Sequence, residues 1–358
     1  MNYEKIIKWL NDHEEQLPIT ATCGYVKNMM IASFKDLTSA DVPSVLQSIL
    51  SNPRILLTYY RENDALAIAT LVSGAATAIH YLSAEIFKDY SQVDRAWSIL
   101  PILYAWHFTI HDYLTKEVFN PRLVIASILI SIWGSRLTFN FARKGGYYRD
   151  GQDYRYLYIK EKIGGVLMAI LNLTAIAPFQ DILLLLISSP LYIVSKVSNK
   201  SVALSTFDWI IVSLHLSFLL IEAVADEQQY AFQTAKHALL EYLQPSQLKD
   251  DYKHGFLWHS GLFQYSRHPN FFAEMSMWWV IYLFSVSAIQ EATGILHVGS
   301  FFNWTVIGPI LLTLLFQGST SLTERISASK YTDYKIYQKC VNRFIPWFPS
   351  DEQHLKQD

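Results

Sequence analysis

The sequence predicts an all-α fold, a polytopic membrane helix bundle with about seven transmembrane helices. Three observations carry that reading. Hydrophobic residues make up 51% of the 358 and charged residues only 17%, where a water-soluble chain carries about a quarter charged. Seven stretches are apolar over lengths near the ~20 residues that a helix needs to cross ~30 Å of hydrocarbon. None of them keeps the period of two that a strand would show. Ten Trp, 22 Tyr and 20 Phe exclude a mainly disordered chain. A net charge of −2 excludes the strong positive field of a nucleic-acid binder.

Taken in order, residues 1–64 are a preface of mixed polarity, read as short helices or loops. Glu4, Lys5 and Lys8 interrupt its start, so it is not a signal peptide. A membrane domain is expected over 65–347 and a polar tail over 348–358. The first span follows from Ala65 to Ala84, which lack Asp, Glu, Lys and Arg. Ala96 to His111 is a shorter uncharged run with polar ends. Pro121 to Phe141 is apolar except for Arg122, Arg136 and small polar residues. Ile163 to Ser195 contains one charge, Asp181, and suits a tilted span with an amphipathic approach. Ser201 to Ile221 contains only Asp208, and Phe271 to Gln290 only Glu274. The uncharged run Ala292 to Thr323 places the last span at Trp304 to Leu322.

Charge sets the orientation. Arg136 to Lys162 holds seven basic and three acidic residues, and Glu324 to Arg343 holds five and two. Four expected spans separate these stretches, so both fall on one face, and the positive-inside rule makes it cytosolic. The loops near 196–200 and 291–303 then lie opposite, and an odd number of spans places the N-terminus opposite the C-terminus.

Polar residues gather at that cytosolic level, where burial costs energy unless a cavity or partner is served. Arg136, Asn140 and Arg143 share one helical face. Two guanidiniums and an amide suit phosphate, or the arginines snorkel to lipid headgroups. Glu222, Asp226 and Gln229 repeat that spacing. They suit the facing arginines, the hydroxyls and amide of a nucleotide, or solvent. Arg267, His268, Pro269 and Asn270 precede an aromatic-rich span, with Glu274 one turn inside it. Pro269 fits a first helical turn, and Arg267 or His268 is the expected ion partner of Glu274. Glu324 and Tyr331 are seven apart, while Tyr331, Tyr334 and Tyr337 step by three. Those tyrosines read either as cover over a cavity mouth or as interface anchors. Asp94, Arg95, Trp97 and Ser98 open the second run at the same level.

Several chemistries have no motif here: no dinucleotide fingerprint, P-loop, zinc-protease motif, C-x-x-C or nucleophile elbow. His107 and His111 share a face but lack a third ligand nearby, so no metal is expected. Cys23 and Cys340 make no disulfide framework.

Five segments together resemble the membrane steroid 5-alpha-reductase superfamily, in particular its DUF1295 branch, with distant similarity to isoprenylcysteine carboxyl methyltransferases. They are DRAWSILP at 94–101, WGSRLTFNFARKGG at 133–146, IEAVADEQQYAF at 221–232, GLFQYSRHPNFFAE at 261–274, and TERISASKY through RFIPW at 323–347. The resemblance implies an oxidoreductase that uses NADPH from the cytosol to reduce a C=C bond conjugated to a carbonyl in a steroid-like or other lipid substrate. It implies cofactor-binding roles for Asn270 and Glu274, for Glu222 and Asp226, for Arg136 and Asn140, and for Glu324. Arg143, Arg267, His268, Tyr331 and Tyr334 complete the expected set. Ala273 stands where the family's usual glycine precedes the glutamate. The catalytic acid is not named by the resemblance; Tyr104, Tyr265 and Tyr282 are candidate donors. The steroid-reducing enzymes' acid–tyrosine pair has no matching residues here. The alternatives are a membrane methyltransferase using S-adenosylmethionine and a non-catalytic scaffold or transporter. The lipid bilayer is the expected partner. The endoplasmic reticulum is the expected membrane in a eukaryote, with the cofactor face and C-terminus toward the cytosol.

Overall fold

The computed structural model describes residues 52, 54–148, 151–197, 203–293 and 301–350. Residues 1–51 of the expected preface and most of the 348–358 tail lie outside that range. Every regular element among the described residues is helical. The helices are α1 (Arg54–Glu62), α2 (Ala65–Phe87), α3 (Gln92–Ala96), α4 (Ile99–Lys116), α5 (Pro121–Arg143), α6 (Tyr154–Leu171), α7 (Ala177–Ser188), α8 (Pro190–Val197), α9 (Thr206–Tyr242), α10 (Asp250–His254), α11 (Pro269–Thr293), α12 (Ile307–Lys330) and α13 (Tyr334–Cys340).

Among the described residues, six helical stretches are long and apolar enough to cross a membrane: Ala65–Phe87, Pro121–Arg143, Tyr154–Val197, Thr206–Tyr242, Pro269–Ala292 and Trp304–Lys330. The polytopic all-helical reading therefore stands, with six candidate spans. The run expected at 96–111 forms α4, an 18-residue helix outside this set. Its C-terminal half carries His107, His111, Asp112 and Lys116, which dilute its apolarity below that of a lipid-exposed span.

Local chemistry explains the helix ends. Asp64 caps α2 by accepting from the Leu66 amide (2.8 Å). Asn120 caps α5 through the Arg122 amide (3.1 Å), and Pro121 fills its first turn, where a missing N–H costs nothing. Asp153 caps α6 (2.8 Å to the Arg155 amide). The 44-residue stretch Tyr154–Val197 is not one rod. It breaks at Gly164, whose φ of 81° is accessible to glycine at little cost. It then bulges into a π turn at Asn172–Ile176 and ends as α7 and α8.

Two compact units divide the chain, Met1–Ile211 with Ile281–Ile310, and Val212–Val280 with Leu311–Asp358. In the first, α4 and α5 pack so closely that a Cβ on Gly134 would meet Ser98 O and Ile102 Cδ1 at 2.6 Å. Small residues allow such approach between membrane helices. Ion pairs tie helix ends in this unit. Asp64 holds Lys196 (2.7 Å) and the Tyr192 hydroxyl (3.0 Å). Arg122 clamps Asp208 with two bonds (2.8 and 2.7 Å) and reaches Glu291 (2.8 Å). His107 and His111 direct Nε2 to the carbonyls of Ala65 (2.8 Å) and Asn63 (2.9 Å). They fasten α4 to the residues that lead into α2.

In the second unit, Phe256, Trp258, Tyr334, Tyr337, Cys340 and Val341 form an apolar core. α11 is the most enclosed of the candidate spans, with 78% of its apolar window buried. Glu274, one turn inside it, is buried in protein.

Candidate functional site

The RHPN segment is built by its attachment to the C-terminal tail. The Arg267 and His268 amides donate to Asn342 O (2.9 Å) and Arg343 O (3.0 Å), and the Ser266 hydroxyl donates to Phe344 O (2.6 Å). Glu324, 2% exposed near the end of α12, then collects four hydrogen-bond donors and one further ion partner. The donors are Arg267 Nε (2.6 Å) and Nη2 (3.1 Å), His268 Nε2 (3.0 Å) and Gln338 Nε2 (3.0 Å), and Arg343 pairs with it at 3.3 Å. Arg267 Nη1 also donates to Gln338 O (3.0 Å) and to Val341 O. Burial lowers the His268 imidazole below its ordinary pKa, with Glu324 opposing the shift.

This geometry corrects one expectation. Arg267 and His268 were the expected ion partners of Glu274, and both turn to Glu324 instead. Glu324 saturates its oxygens on protein donors and acts here as the fastener of loop and tail. The reason is topological: the tail returns beside the loop just before α11, and no local spacing records that return.

Asp226 on α9 and Asn270 on α11 do meet, with Asn270 Nδ2 donating to Asp226 Oδ1 at 3.2 Å. Glu222 (2% exposed), Asp226 (6%) and Glu274 (7%) are all buried. Ala273 is wholly buried, so the methyl that replaces a glycine lies in a packed helix contact.

The tail tyrosines depart from the expected common face. α12 ends at Lys330 and α13 restarts at Tyr334. The turn between them breaks the step of three from Tyr331 to Tyr334, while the Tyr331 amide still bonds Ser327 O (2.8 Å) as the last turn of α12. Tyr334 and Tyr337 point into the aromatic core, with Phe256 5.0 Å from Tyr334 between ring centroids. Tyr331 is half-buried and accepts from Lys236 Nζ (3.1 Å), which also donates to Gly255 O (2.8 Å). Burial alone would raise the Tyr331 phenol, but Lys236 and Lys330 bring it below its ordinary pKa. Lys236 was not anticipated from sequence, because it lies in the polar C-terminal part of α9, beyond the apolar run that marked the span.

In the first unit, Arg143 Nε donates to Asn140 Oδ1 (3.0 Å), so the predicted helical face is real. Asn140 is buried, and Arg136 and Arg143 are half-buried. The DRAWS segment forms a second ionic cluster. Arg95 pairs with Asp89 (2.6 Å), and Arg155 clamps Asp153 (2.6 and 3.0 Å). With those arginines committed, the buried Asp94 Oδ2 has no hydrogen-bond partner among the described residues. Burial pushes the Asp94 carboxyl up to about 6; Asp153 and Asp89 add to this, and Arg155 opposes it. Because the folded value lies above the unfolded one, the fold favours the protonated acid. The contribution of this one group to stability is greatest at and below about pH 4 and falls as pH rises through about 6. Asp94→Asn removes that loss. The variant should melt several degrees above wild type at pH 7.5, and the gap should close toward pH 4 in a detergent melting series.

Sequence reasoning also missed an intramembrane pair. His80 Nδ1 on α2 contacts both Asp181 oxygens on α7 at 3.0 Å. The available signal was Asp181 itself, the lone charge of a long apolar run. Between α4 and α5 lies an apolar cavity of about 610 Å³, lined by Trp106, Ile110, Tyr113, Val124, Ile125 and Ile128 among others.

The family model for DUF1295, "Protein of unknown function", matches residues 80–342. Uncharacterized protein C594.04c of Schizosaccharomyces pombe is 34% identical over 327 residues, covering 86% of this chain and 92% of that protein. No solved structure matches. The five motif segments fall almost wholly within the matched residues, and the chain belongs to the DUF1295 family.

Proposed function

We propose that the protein is a membrane reductase that draws on NADPH to saturate a C=C bond conjugated to the carbonyl of a steroid-like or other lipid substrate. The observation that carries this reading is the acid–amide group of the second unit. Asn270 meets Asp226 across two candidate spans, and Glu222 and Glu274 are buried on the same two helices. Carboxylates buried in a span are kept when they serve a polar ligand. The residue chemistry fits part of a dinucleotide: carboxylates accept from ribose hydroxyls, and the Asn270 amide complements a carboxamide.

When bound, the nicotinamide supplies a hydride to the β carbon of the substrate. The chain's own part is to hold and to exclude water. Arg267, His268 and Glu324 fix the loop that begins α11, and so set where Asn270 and Glu274 lie. Tyr331, with Lys236 and Lys330 beside it, adds a cationic edge near the tail. Tyr334 supports that edge from the aromatic core. The apolar cavity beside α4 suits the body of a lipid. For a eukaryotic cell we propose the endoplasmic reticulum membrane, with the cofactor side and C-terminus toward the cytosol.

Methyl transfer from S-adenosylmethionine is the competing chemistry, and one titration separates the two. Purified protein in nanodiscs is titrated by calorimetry with NADPH, NADH and S-adenosylmethionine, beside Glu274→Gln. NADPH should bind selectively, and Glu274→Gln should weaken it about tenfold, the loss of one hydrogen bond to a charged group, with an unchanged melting curve. Binding of S-adenosylmethionine alone overturns the proposal.

A further inference from the structure

His80 lies about 10 Å of helix rise from the C-terminal end of α2. Its partner Asp181 is 0% exposed, while the His80 side chain keeps 14% exposure. The outward residues around it on α2 are apolar: Val72, Ile79, Leu82 and Ile86 are all exposed. In a spanning helix such a face meets hydrocarbon. The accessible edge of the imidazole therefore opens toward the bilayer interior, where its visitors are lipid-dissolved molecules.

The ring's two nitrogens have different fates. Nδ1 is held by both Asp181 oxygens, and Nε2 has no hydrogen-bond partner among the described residues. A buried acid–imidazole pair avoids a net charge out of water. Nδ1 faces both Asp181 oxygens, so in a pair of zero net charge the shared proton lies between Nδ1 and the carboxyl group and the other ring proton is on Nε2, a donor with nothing to bond among the described residues. The polar character continues along the same face of α2. Ser73 and Thr77 stand seven and three residues before His80. The Ser73 hydroxyl lies against that of Tyr104 on α4, both 1–2% exposed, and neither closes a hydrogen bond of ordinary geometry. A tie between two helices needs only the His80–Asp181 contact. The outward Nε2 and the unsatisfied hydroxyls exceed that need.

We propose that His80, oriented by Asp181, is a binding residue for the carbonyl oxygen of an apolar lipid ketone that enters from the bilayer. An acceptor-only oxygen satisfies Nε2–H, whereas a hydrocarbon leaves it unpaired. The site stands without the cofactor; only the expectation that a bound enone is then reduced rests on the reductase reading. Asp181 is a positioning residue, acting through the ring it holds.

The test uses the full chain in phosphatidylcholine nanodiscs, with cholestenone isotopically labelled at its carbonyl carbon as the probe and cholestane as the oxygen-free control. Infrared difference spectra report the carbonyl band, and titration reports affinity. Wild type should shift the band to lower frequency and prefer cholestenone to cholestane. His80→Phe should weaken cholestenone about tenfold, the loss of one charge-assisted hydrogen bond, and return the band to its position in lipid. Asp181→Asn should weaken the shift without abolishing it. His80→Gln, which keeps an N–H donor, should restore part of the shift and carries the test if the phenylalanine variant does not fold. An unshifted band in wild type, or the same band in wild type and folded His80 variants, overturns the proposal. NADPH titration of the same samples separates the two readings. NADPH binding with an unshifted ketone sinks this site alone, and a shifted ketone without NADPH binding sinks the reductase reading alone.

Discussion

Arg122→Leu is expected to destabilise the first unit by about 3–5 kcal/mol, the cost of stranding a buried charge. Arg122 is 3% exposed and Asp208 0%, and two hydrogen bonds join them while a third reaches Glu291. Three helix ends, those of α5, α9 and α11, meet at this guanidinium. Leucine fills most of its volume but leaves the Asp208 carboxylate with the Ser205 amide and hydroxyl (2.8 and 2.9 Å) and the Ser287 side chain, none of which carries a charge. The expected signs are a large drop in melting temperature and new protease cleavage near 203–206. The sign of a compensating change also follows. Replacing Arg122, Asp208 and Glu291 together with Met, Leu and Gln removes charge and countercharge alike, and stability should return close to wild type. A triple variant as unstable as Arg122→Leu would mean that the network stabilises through geometry that apolar packing does not replace.

Glu324→Ala is expected to cost a similar 3–5 kcal/mol, now in the second unit. It strands Arg267, which is 9% exposed, and removes the acceptor shared by His268, Gln338 and Arg343. The tail after α13 should then release from the RHPN loop, which protease cleavage between 341 and 350 would report. NADPH affinity should fall with it, because the loop positions Asn270. Glu324→Gln keeps an acceptor oxygen but loses the charge, and should lie between wild type and Glu324→Ala. A Glu324→Ala protein with an intact tail and unchanged melting would show that the backbone bonds at Asn342 and Arg343 hold the loop unaided.

Much of this arrangement was legible in the chain. Apolar length marked six of the candidate spans directly, since the bilayer demands a run that no other fold needs. The spacing of Arg136, Asn140 and Arg143 gave a true helical face because they lie within one unbroken helix. Glu222 and Asp226 were found as buried polar groups by the same logic. That logic failed between Tyr331 and Tyr334, because one helix stops at Lys330, the next starts at Tyr334, and a periodicity means nothing across a turn. It failed again at the second apolar run, where a composition short of a span still makes a helix that packs inside the first unit.

The sequence by itself determined the fold class, the family and the helical positions of the polar residues within the membrane domain. Those properties depend on composition and on spacing inside single helices, which the chain carries locally. Only the tertiary structure decided who pairs with whom. Arg122 finds Asp208 across 86 residues, His80 finds Asp181 across 101, and Arg267 turns from nearby Glu274 to Glu324 across 57. An ionisable group buried in a bundle must be matched in charge and hydrogen bonds wherever the packing brings a partner. Which partner arrives is set by how the helices pack, and no local spacing in the chain encodes it.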